Sequence, residues 1–481
     1  MITLYNTLTK KLDTLEAQSS PLKMYSCGPT TYDFMHVGNA RALVTADIIY
    51  RTLLFLGQEV IFVRNFTDID DKIINEAKKN NSCPLEHSQK YIQEALIDMN
   101  SLGLLPPTHT PKVSESLPEI IALIEDLLKN NHAYVREGEV LFDIASFSSY
   151  GKLSGQKQES LSFGKRIEVK EHKRNPGDFV LWKPISSSSD TPYWESPWGK
   201  GRPGWHIECS AMAKKYLGPT LDIHHGDIDL IFPHHENEIA QSEGANKALF
   251  GKHWCHNEFL NFNTEKMSKS LGNVITIRKF VESHSGPVLR HLLCSVHYRS
   301  KIDWSEELIE KSRQEVFKIH SFAKTFYQKG FLGNPIESSE ILPQIEQLQI
   351  EFNKELANDF NVPACLGKLF TLRHLYYKEY TETDFSKAPS QKVFKAIDRF
   401  FHGFSQATGL LHLENLEDVI NFFTKKSSLT QEEQEKLLQE RQKARLEKNW
   451  KKADEIRDTF LKNGLQIKDG PEGNVFIIPL S

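Results

Sequence analysis

LKMYSCGPTTYDFMHVGNARALVTADIIYRTLLFLGQEVIFVRNF, residues 22–66, decides the fold. LKMYSC alternates well enough for a short strand. After the Gly28-Pro29 turn, the segment from about His36 to Leu56 reads as a helix, with Gly57 a natural C-terminal stop. QEVIFVRNF then gives a second apolar strand. Strand, Gly-bearing turn, helix and strand make one βαβ unit, and a crossover helix this long returns the chain parallel to its first strand. The expected class is therefore α/β with a parallel sheet.

Outward from that unit, the pattern changes over residues 98–202. HAYVREGEVLFDI looks like a hairpin turning at Glu137-Gly138, and ISSSSDTP (Ile185 to Pro192) like a polar loop. This stretch reads as an insertion that splits an α/β domain into 1–97 and 203–260. The α/β character resumes in the helix GWHIECSAMAKKYLG, then in the strand and turn LDIHHGDIDL. A last strand, NEFLNF, leads into EKMSKSLGN and a connecting region, 261–312. Beyond it the chain is helical. Ser305 can cap a helix with Glu306 and Glu307 in its first turn. Ile309, Val316, Ile319, Ala323 and Phe326 form one apolar stripe, and Ile345, Leu348 and Phe352 a second. A third helix covers Gly367 to Lys378, TETDFSKAPSQ is a linker, and VFKAIDRFFHGF is another helix. These stripes predict the core of a bundle at 313–412. After the polar break TKKSSLTQEE, a small unit at 425–481 ends in the strand-like GNVFIIP.

Composition bounds the class. At ~150 residues per domain, 481 residues suggest about three. Hydrophobic content of 39% and charged content of 25% are ordinary for a globular chain. Lys+Arg 59 against Asp+Glu 63 leaves −4, so any nucleic-acid contact must come from a local patch. No apolar run approaches the ~18 residues of a membrane span, and the opening MITLYNTLTKKLDTLEAQ has no apolar core for secretion. The cysteines, Cys27, Cys83, Cys209, Cys255, Cys294 and Cys365, make no C-x-x-C, which excludes a zinc ribbon or thioredoxin motif. Scattered single cysteines point to a reducing, cytoplasmic setting. Taken singly, each reads as a small buried hydrophobe.

Four groups of residues carry chemistry. In CGPTTYDFMHVGNAR, residues 27–41, a Gly-Pro turn after a strand precedes a helix N-terminus, which offers free N–H groups and a positive dipole end. Gly38 lets a flat group approach, and His36 and Asn39 can donate to phosphate oxygens; His36 alone reads as a plain helix cap. In KMSKS, residues 266–270, Lys266 and Lys269 are mobile point charges able to follow charge building on a phosphorus atom. Alone they read as solvated surface. In FPHHENEIAQ, His234 and Glu238 lie four apart on one helical face, and H-E-x-x-H fails because position 239 is Ile. With Cys27 and Cys209 they could supply two S, one N and one O, a normal zinc set, from positions that meet outside the carboxyl ends of a parallel sheet. The bland reading is two buried thiols and a surface turn. Finally, KARLEKNWKKADEIRD clusters cations around Trp450, able to stack an unpaired base and hold phosphate, with Asp454 and Asp469 as hydrogen-bond acceptors. The alternative is a charged helix with Trp450 packed on its neighbour.

HVGN with KMSKS, in that order across an insertion, resembles the paired motifs of class I aminoacyl-tRNA synthetases. Asn39 stands where the family usually has a second His, keeping a donor but losing the imidazole. CGPTTYD, FVRNFTDIDDKI, DFVLWK, GRPGWHIECSAMA, FPHHENEIAQSE, EKMSKSLGN and HYRSKIDWSEE further resemble cysteinyl-tRNA synthetases, over about residues 20 to 310, as do NDFNVPACL and EKNWKKADEIRD beyond. The resemblance implies a Rossmann-type parallel-sheet catalytic domain split by an insertion, followed by an α-helical bundle and a small C-terminal anticodon-binding domain. It implies one Zn2+ per chain held by Cys27, Cys209, His234 and Glu238. It places ATP, with Mg2+, on His36, Gly38, Asn39 and Lys269, with His36, Asn39, Lys266 and Lys269 catalytic. L-Cysteine would meet Gly28, Thr67, Trp205 and Asp229, and tRNA(Cys) would meet Arg445, Trp450, Asp454 and Asp469. A cytoplasmic monomer with no membrane partner is expected. Zinc selects sulfur over oxygen without an editing domain. One departure is His225-Gly226-Asp227-Ile228, where the family often has a Gly-rich turn; His224 and His225 could touch substrate or the metal shell, with no role assigned to either. Two rivals are a ligase joining cysteine to an amino-sugar thiol precursor, which should lack residues 430–481, and a silent RNA-binding relative, which should lack His36, Lys266 and Lys269.

Overall fold

The structure is a computed structural model, and it describes residues 1–16, 21–156, 173–185, 191–262, 265–266, 274–336, 340–381, 386–424, 429–463, 465–469 and 475–479. The chain divides into two compact units. One is Met1–Lys279 with His297–Asp303 and Ala357–Phe360; the other is Phe280–Val296, Trp304–Leu356 and Asn361–Ser481.

The first unit opens with an antiparallel pair, β1 (Thr3–Asn6) and β2 (Lys11–Thr14), which the sequence reading did not anticipate. The βαβ unit follows as expected: β3 (Leu22–Ser26), α1 (Val37–Phe55) and β4 (Val60–Arg64). β3 and β4 run parallel from Leu22↔Val60 to Ser26↔Arg64. Gly57, at φ +83°, ends the helix in the left-handed region that glycine tolerates. Next come α2 (Asp71–Lys79), α3 (Pro84–Ser101) and α4 (Leu117–Lys129). An antiparallel sheet follows, of β5 (Ala133–Arg136), β6 (Glu139–Phe142), β7 (Phe179–Pro184) and β8 (Gly201–Pro203), in that order. Its hairpin turns at Glu137 and Gly138, both at positive φ, as a two-residue primed turn requires.

α5 (Trp205–Leu217), β9 (Leu221–Asp227), α6 (Glu236–Asn246) and β10 (Gly251–Asn257) complete the parallel sheet, ordered β10-β9-β3-β4. Here the reading needs correction. The last strand of that sheet is GKHWCHN, not NEFLNF. NEFLNF breaks after Asn257, and its second part, β11 (Leu260–Phe262), pairs antiparallel with β12 (Glu265–Lys266). β10 was hidden because its histidines look polar, whereas His253 and His256 are buried and bonded to neighbouring segments. One apolar core joins Tyr25, Val63, Ile207 and Leu221 to Phe142, Leu181 and Trp182, so the antiparallel sheet and the parallel sheet share their packing. The chain leaves β3 toward β4 but leaves β9 toward β10. The crevice between β3 and β9 is thus a topological switch point, where α/β sheets bind ligands.

In the second unit Ser305 caps helix Glu306–Leu332, its Oγ accepting from Leu308 N–H at 3.2 Å. Ile309, Val316, Ile319, Ala323 and Phe326 are all buried, as are Ile345, Leu348 and Phe352 of helix Ile341–Ala357. The third helix starts earlier than expected, at Val362, because the Asn361 side chain accepts from Ala364 N–H. Helix Gln391–Thr408 follows as expected, but the linker before it contains a short strand, Lys387–Pro389, parallel to Asn334–Ile336. The C-terminal segment is two helices, Gln431–Leu446 and Trp450–Lys462, and an antiparallel pair, Leu465–Asp469 with Val475–Pro479. Among the described residues, no helix is long and apolar enough to cross a membrane.

Candidate active site

Four side chains from three segments converge at the switch point. Cys27 follows β3, Cys209 lies on α5, and His234 and Glu238 flank the start of α6. One donor atom from each falls within 4.8 Å of all the others. Cys27 Sγ is 3.9 Å from Cys209 Sγ and 3.4 Å from Glu238 Oε1, and His234 Nε2 is 3.1 Å from Glu238 Oε1. A tetrahedron with zinc-like bonds of 2.0–2.3 Å has S–S, S–O and N–O edges of about 3.8, 3.5 and 3.3 Å. The donor set and its spacing therefore fit a zinc-sized cation.

The electrostatics favour a cation too. Burial alone would raise the Glu238 carboxyl, but the charges and hydrogen bonds of His224 and His234 pull it down to about 2. Burial opposes a charged ring at His234, yet the Glu238 carboxylate and the Cys209 sulfur lift its pKa to about 10. The hydrogen bond from Cys27 lowers the Cys209 thiol to about 6, while burial and the Cys209 sulfur push Cys27 well up. A dication held there would let both sulfurs ionise.

Further histidines surround the four donors, His224 and His225 among them. His224 Nε2 lies 2.9 Å from Glu238 Oε2, and the ring stacks on Trp254 with centroids 4.3 Å apart. His225 Nδ1 lies 3.1 Å from Ser26 Oγ, and burial holds this ring at about 3. His206 Nδ1 lies 2.9 Å from His234 Nδ1. His235 Nε2 is 3.4 Å from Cys27 Sγ, so Cys27, His224, His235 and Glu238 form a second overlapping donor group. A sequence signal existed: one pair of histidines inside a strand and a second pair just before the following helix.

In the same unit a cavity of about 700 Å³ is lined by His36, Gly38, Asn39, Lys72, Asp227 and Asp229, among others. His36 caps α1: its Nδ1 accepts from Asn39 N–H at 3.3 Å, and Asn39 Oδ1 accepts from His36 N–H at 3.1 Å. His36 is thus a helix cap, as one reading expected, and it also lines the cavity. Accepting at Nδ1 leaves the ring proton on Nε2. Asn39 in place of the usual histidine completes the capping box.

Gly28 packs so closely that a Cβ there would fall 1.6 Å from the Asn65 carbonyl oxygen. Thr67 is buried, its Oγ donating to Glu208 Oε2 at 3.1 Å. Trp205 opens α5, stays 41% exposed and stacks on His234 with centroids 4.3 Å apart. Lys266 ends β12, and Lys269 lies outside the described residues. Arg445 lies on helix Gln431–Leu446. Trp450 opens the next helix and is 58% exposed. Asp454 pairs with Arg457 at 3.2 Å, and Asp469 ends its strand.

A family profile described as tRNA synthetases class I (C) catalytic domain matches residues 14–314, and one described as Cysteinyl-tRNA ligase anticodon binding domain matches residues 429–474. The chain belongs to the cysteinyl-tRNA ligase family. Among its curated relatives, the cysteine–tRNA ligase of Carboxydothermus hydrogenoformans is 41% identical over 474 residues, covering 98% of each chain. That of Geobacter sulfurreducens is 42% identical over 480 residues, again covering 98% of each. The fold extends beyond the cysteinyl-tRNA ligases. The Mycobacterium tuberculosis methionyl-tRNA synthetase solved with methionyl-adenylate superposes at a TM-score of 0.61 with 12% identity, over 84% of this chain and 94% of that one.

Proposed function

We propose that the chain is a cysteine–tRNA ligase that activates L-cysteine with ATP and passes it to tRNA(Cys), with zinc as its resident metal. The observation that carries the reading is the meeting of Cys27, Cys209, His234 and Glu238 at tetrahedral-edge spacing. Zinc, when bound, supplies a Lewis acid that takes a thiol as thiolate and takes a hydroxyl poorly.

The chain's own residues hold and orient the reactants. Asp229 receives the cysteine ammonium group, Thr67 and the Gly28 backbone line its seat, and Trp205 covers the side chain. The cysteine carboxylate attacks the α-phosphorus of Mg2+-ATP; pyrophosphate leaves and cysteinyl-adenylate forms. His36 Nε2–H and Asn39, at the positive end of α1, hold phosphate oxygens, and Lys266 and Lys269 balance the charge that builds there. No protein nucleophile is needed, because the substrates supply it. The terminal ribose hydroxyl of tRNA then takes the cysteinyl group and AMP leaves. Arg445, Trp450, Asp454 and Asp469 read the anticodon, Trp450 by stacking. Residues 98–202 serve as a connective domain, and the enzyme works as a cytoplasmic monomer.

The test is cysteine-dependent ATP–pyrophosphate exchange by the full chain, with metal content measured alongside. One zinc per chain and a preference for cysteine over serine of about 10⁴ or more are expected. Active protein without a transition metal, or equal use of serine, contradicts the reading.

A further inference from the structure

Three buried or half-buried polar side chains run in line to Cys27. Thr7 Oγ lies 2.7 Å from His256 Nδ1, His256 Nε2 lies 2.8 Å from His235 Nδ1, and His235 Nε2 lies 3.4 Å from Cys27 Sγ. Thr7 follows β1 and is fixed there by its backbone N–H donating to Trp254 O at 2.9 Å. His256 sits on β10 and His235 just before α6. Both rings are buried, and their 2.8 Å nitrogen-to-nitrogen contact needs an acceptor on one of them, in keeping with neutral imidazoles.

A neutral imidazole carries one N–H and one acceptor nitrogen. Every ring nitrogen in this line is engaged, so each tautomer dictates the next. Only two patterns satisfy all three contacts. In one, the sulfur donates and every proton points toward Thr7. In the other, the Thr7 hydroxyl donates and every N–H points toward the sulfur. A cysteine that ligates a metal is a thiolate with no proton to give. Only the second pattern is compatible with a metal on Cys27, and it needs a donor at its far end.

We propose that Thr7, acting through His256 and His235, is a positioning residue for the Cys27 ligand: its hydroxyl sets the ring tautomers that aim the His235 Nε2–H at the sulfur. This rests on the reading above that Cys27 holds zinc in the set with Cys209, His234 and Glu238. Removing the hydroxyl leaves a buried ring nitrogen without a donor, or turns a lone pair of His235 onto the thiolate. Partners of this kind, one layer outside the ligands, are worth about ten- to a hundredfold in metal affinity.

The experiment measures zinc dissociation constants by chelator competition on the full chain and on Thr7→Val and Thr7→Ser. The metal-free thermal midpoint monitors folding, and Thr7→Ala replaces the valine variant if that one unfolds. Thr7→Val should bind zinc about tenfold more weakly, and Thr7→Ser, which keeps the hydroxyl, should match the unaltered protein. Wild-type affinity in Thr7→Val, or equal weakening in both variants, overturns the proposal. Cobalt(II)-loaded wild-type protein should show sulfur-to-metal absorption of two thiolates. The intensity of one thiolate would place the metal among Cys27, His224, His235 and Glu238, which also overturns it. The functional reading fails separately, if the wild-type protein takes up zinc yet shows no cysteine-dependent exchange.

Discussion

Gly28→Ala is the sharpest perturbation of the site, because its effect is set by backbone. The added Cβ would fall 1.6 Å from the Asn65 carbonyl oxygen and 2.6 Å from its carbon, where real contacts stay beyond 3.0 Å. The two segments must therefore part by about 1.4 Å, and no flexible side chain can absorb the shift. Four hydrogen bonds tie them at this point: Gly28 N–H to Asn65 Oδ1 at 2.9 Å, Thr31 N–H and Thr31 Oγ to Thr67 O, each at 3.1 Å, and Thr67 N–H to Pro29 O at 3.2 Å. Overpacking with partial loss of these bonds should cost about 3 kcal/mol of stability. Cys27 is the adjacent residue, so its sulfur moves with the backbone. A displacement near 1 Å in a positioning group costs on the order of 10²-fold in rate. Zinc affinity should fall about tenfold or more, and kcat/KM for cysteine in pyrophosphate exchange about a hundredfold. Gly57→Ala is the control: nothing lies within 4 Å of its Cβ, but φ is +83°. It should cost about 1 kcal/mol and leave exchange unchanged. Gly28→Ala protein with zinc affinity and kcat/KM within about threefold of wild type would refute the close-approach argument.

Trp205→Ala removes the ring that stacks on His234 while staying 41% exposed. The KM for cysteine should rise about tenfold with little change in stability; a lowered kcat at constant KM would contradict a covering role. Trp450→Ala, at a 58% exposed ring, should weaken transfer to tRNA by about ten- to a hundredfold and leave exchange untouched; unchanged transfer would remove Trp450 from the anticodon surface. In the helical unit, burial holds His320 at about 3, with its Nδ1 2.8 Å from Val316 O and its Nε2 accepting from His412 N–H at 3.3 Å. Unfolded, that ring titrates near 6.5, so below that pH the unfolded chain binds a proton the folded one refuses. Stability should fall by about 2 kcal/mol between pH 7 and pH 5 from this group. Urea unfolding of wild type and His320→Gln at both pH values measures it, and identical pH dependence would rule it out.

Much of this was legible without coordinates. The βαβ unit could be read from LKMYSC and VIFVR because buried parallel strands are nearly continuous apolar runs. Ile309 through Phe326 announced their helix by spacing alone. β10 was misplaced because buried histidines carry no apolar signal, and β1 with β2 was missed because four-residue strands leave almost no pattern. The Asn39 departure also became intelligible only in the folded chain, where its Oδ1 closes the cap on His36.

For this protein, the order of residue types along the chain determined the class of fold and the identity of the candidate donors, since those follow from local periodicity and from which atoms can ligate a soft cation. Tertiary structure alone decided that Cys27 and Cys209, 182 positions apart, lie 3.9 Å from one another. It alone decided that His235 and His256 stand behind them rather than in the apolar core. Distance between remote segments depends on how sheet and helices pack, and no local pattern encodes it.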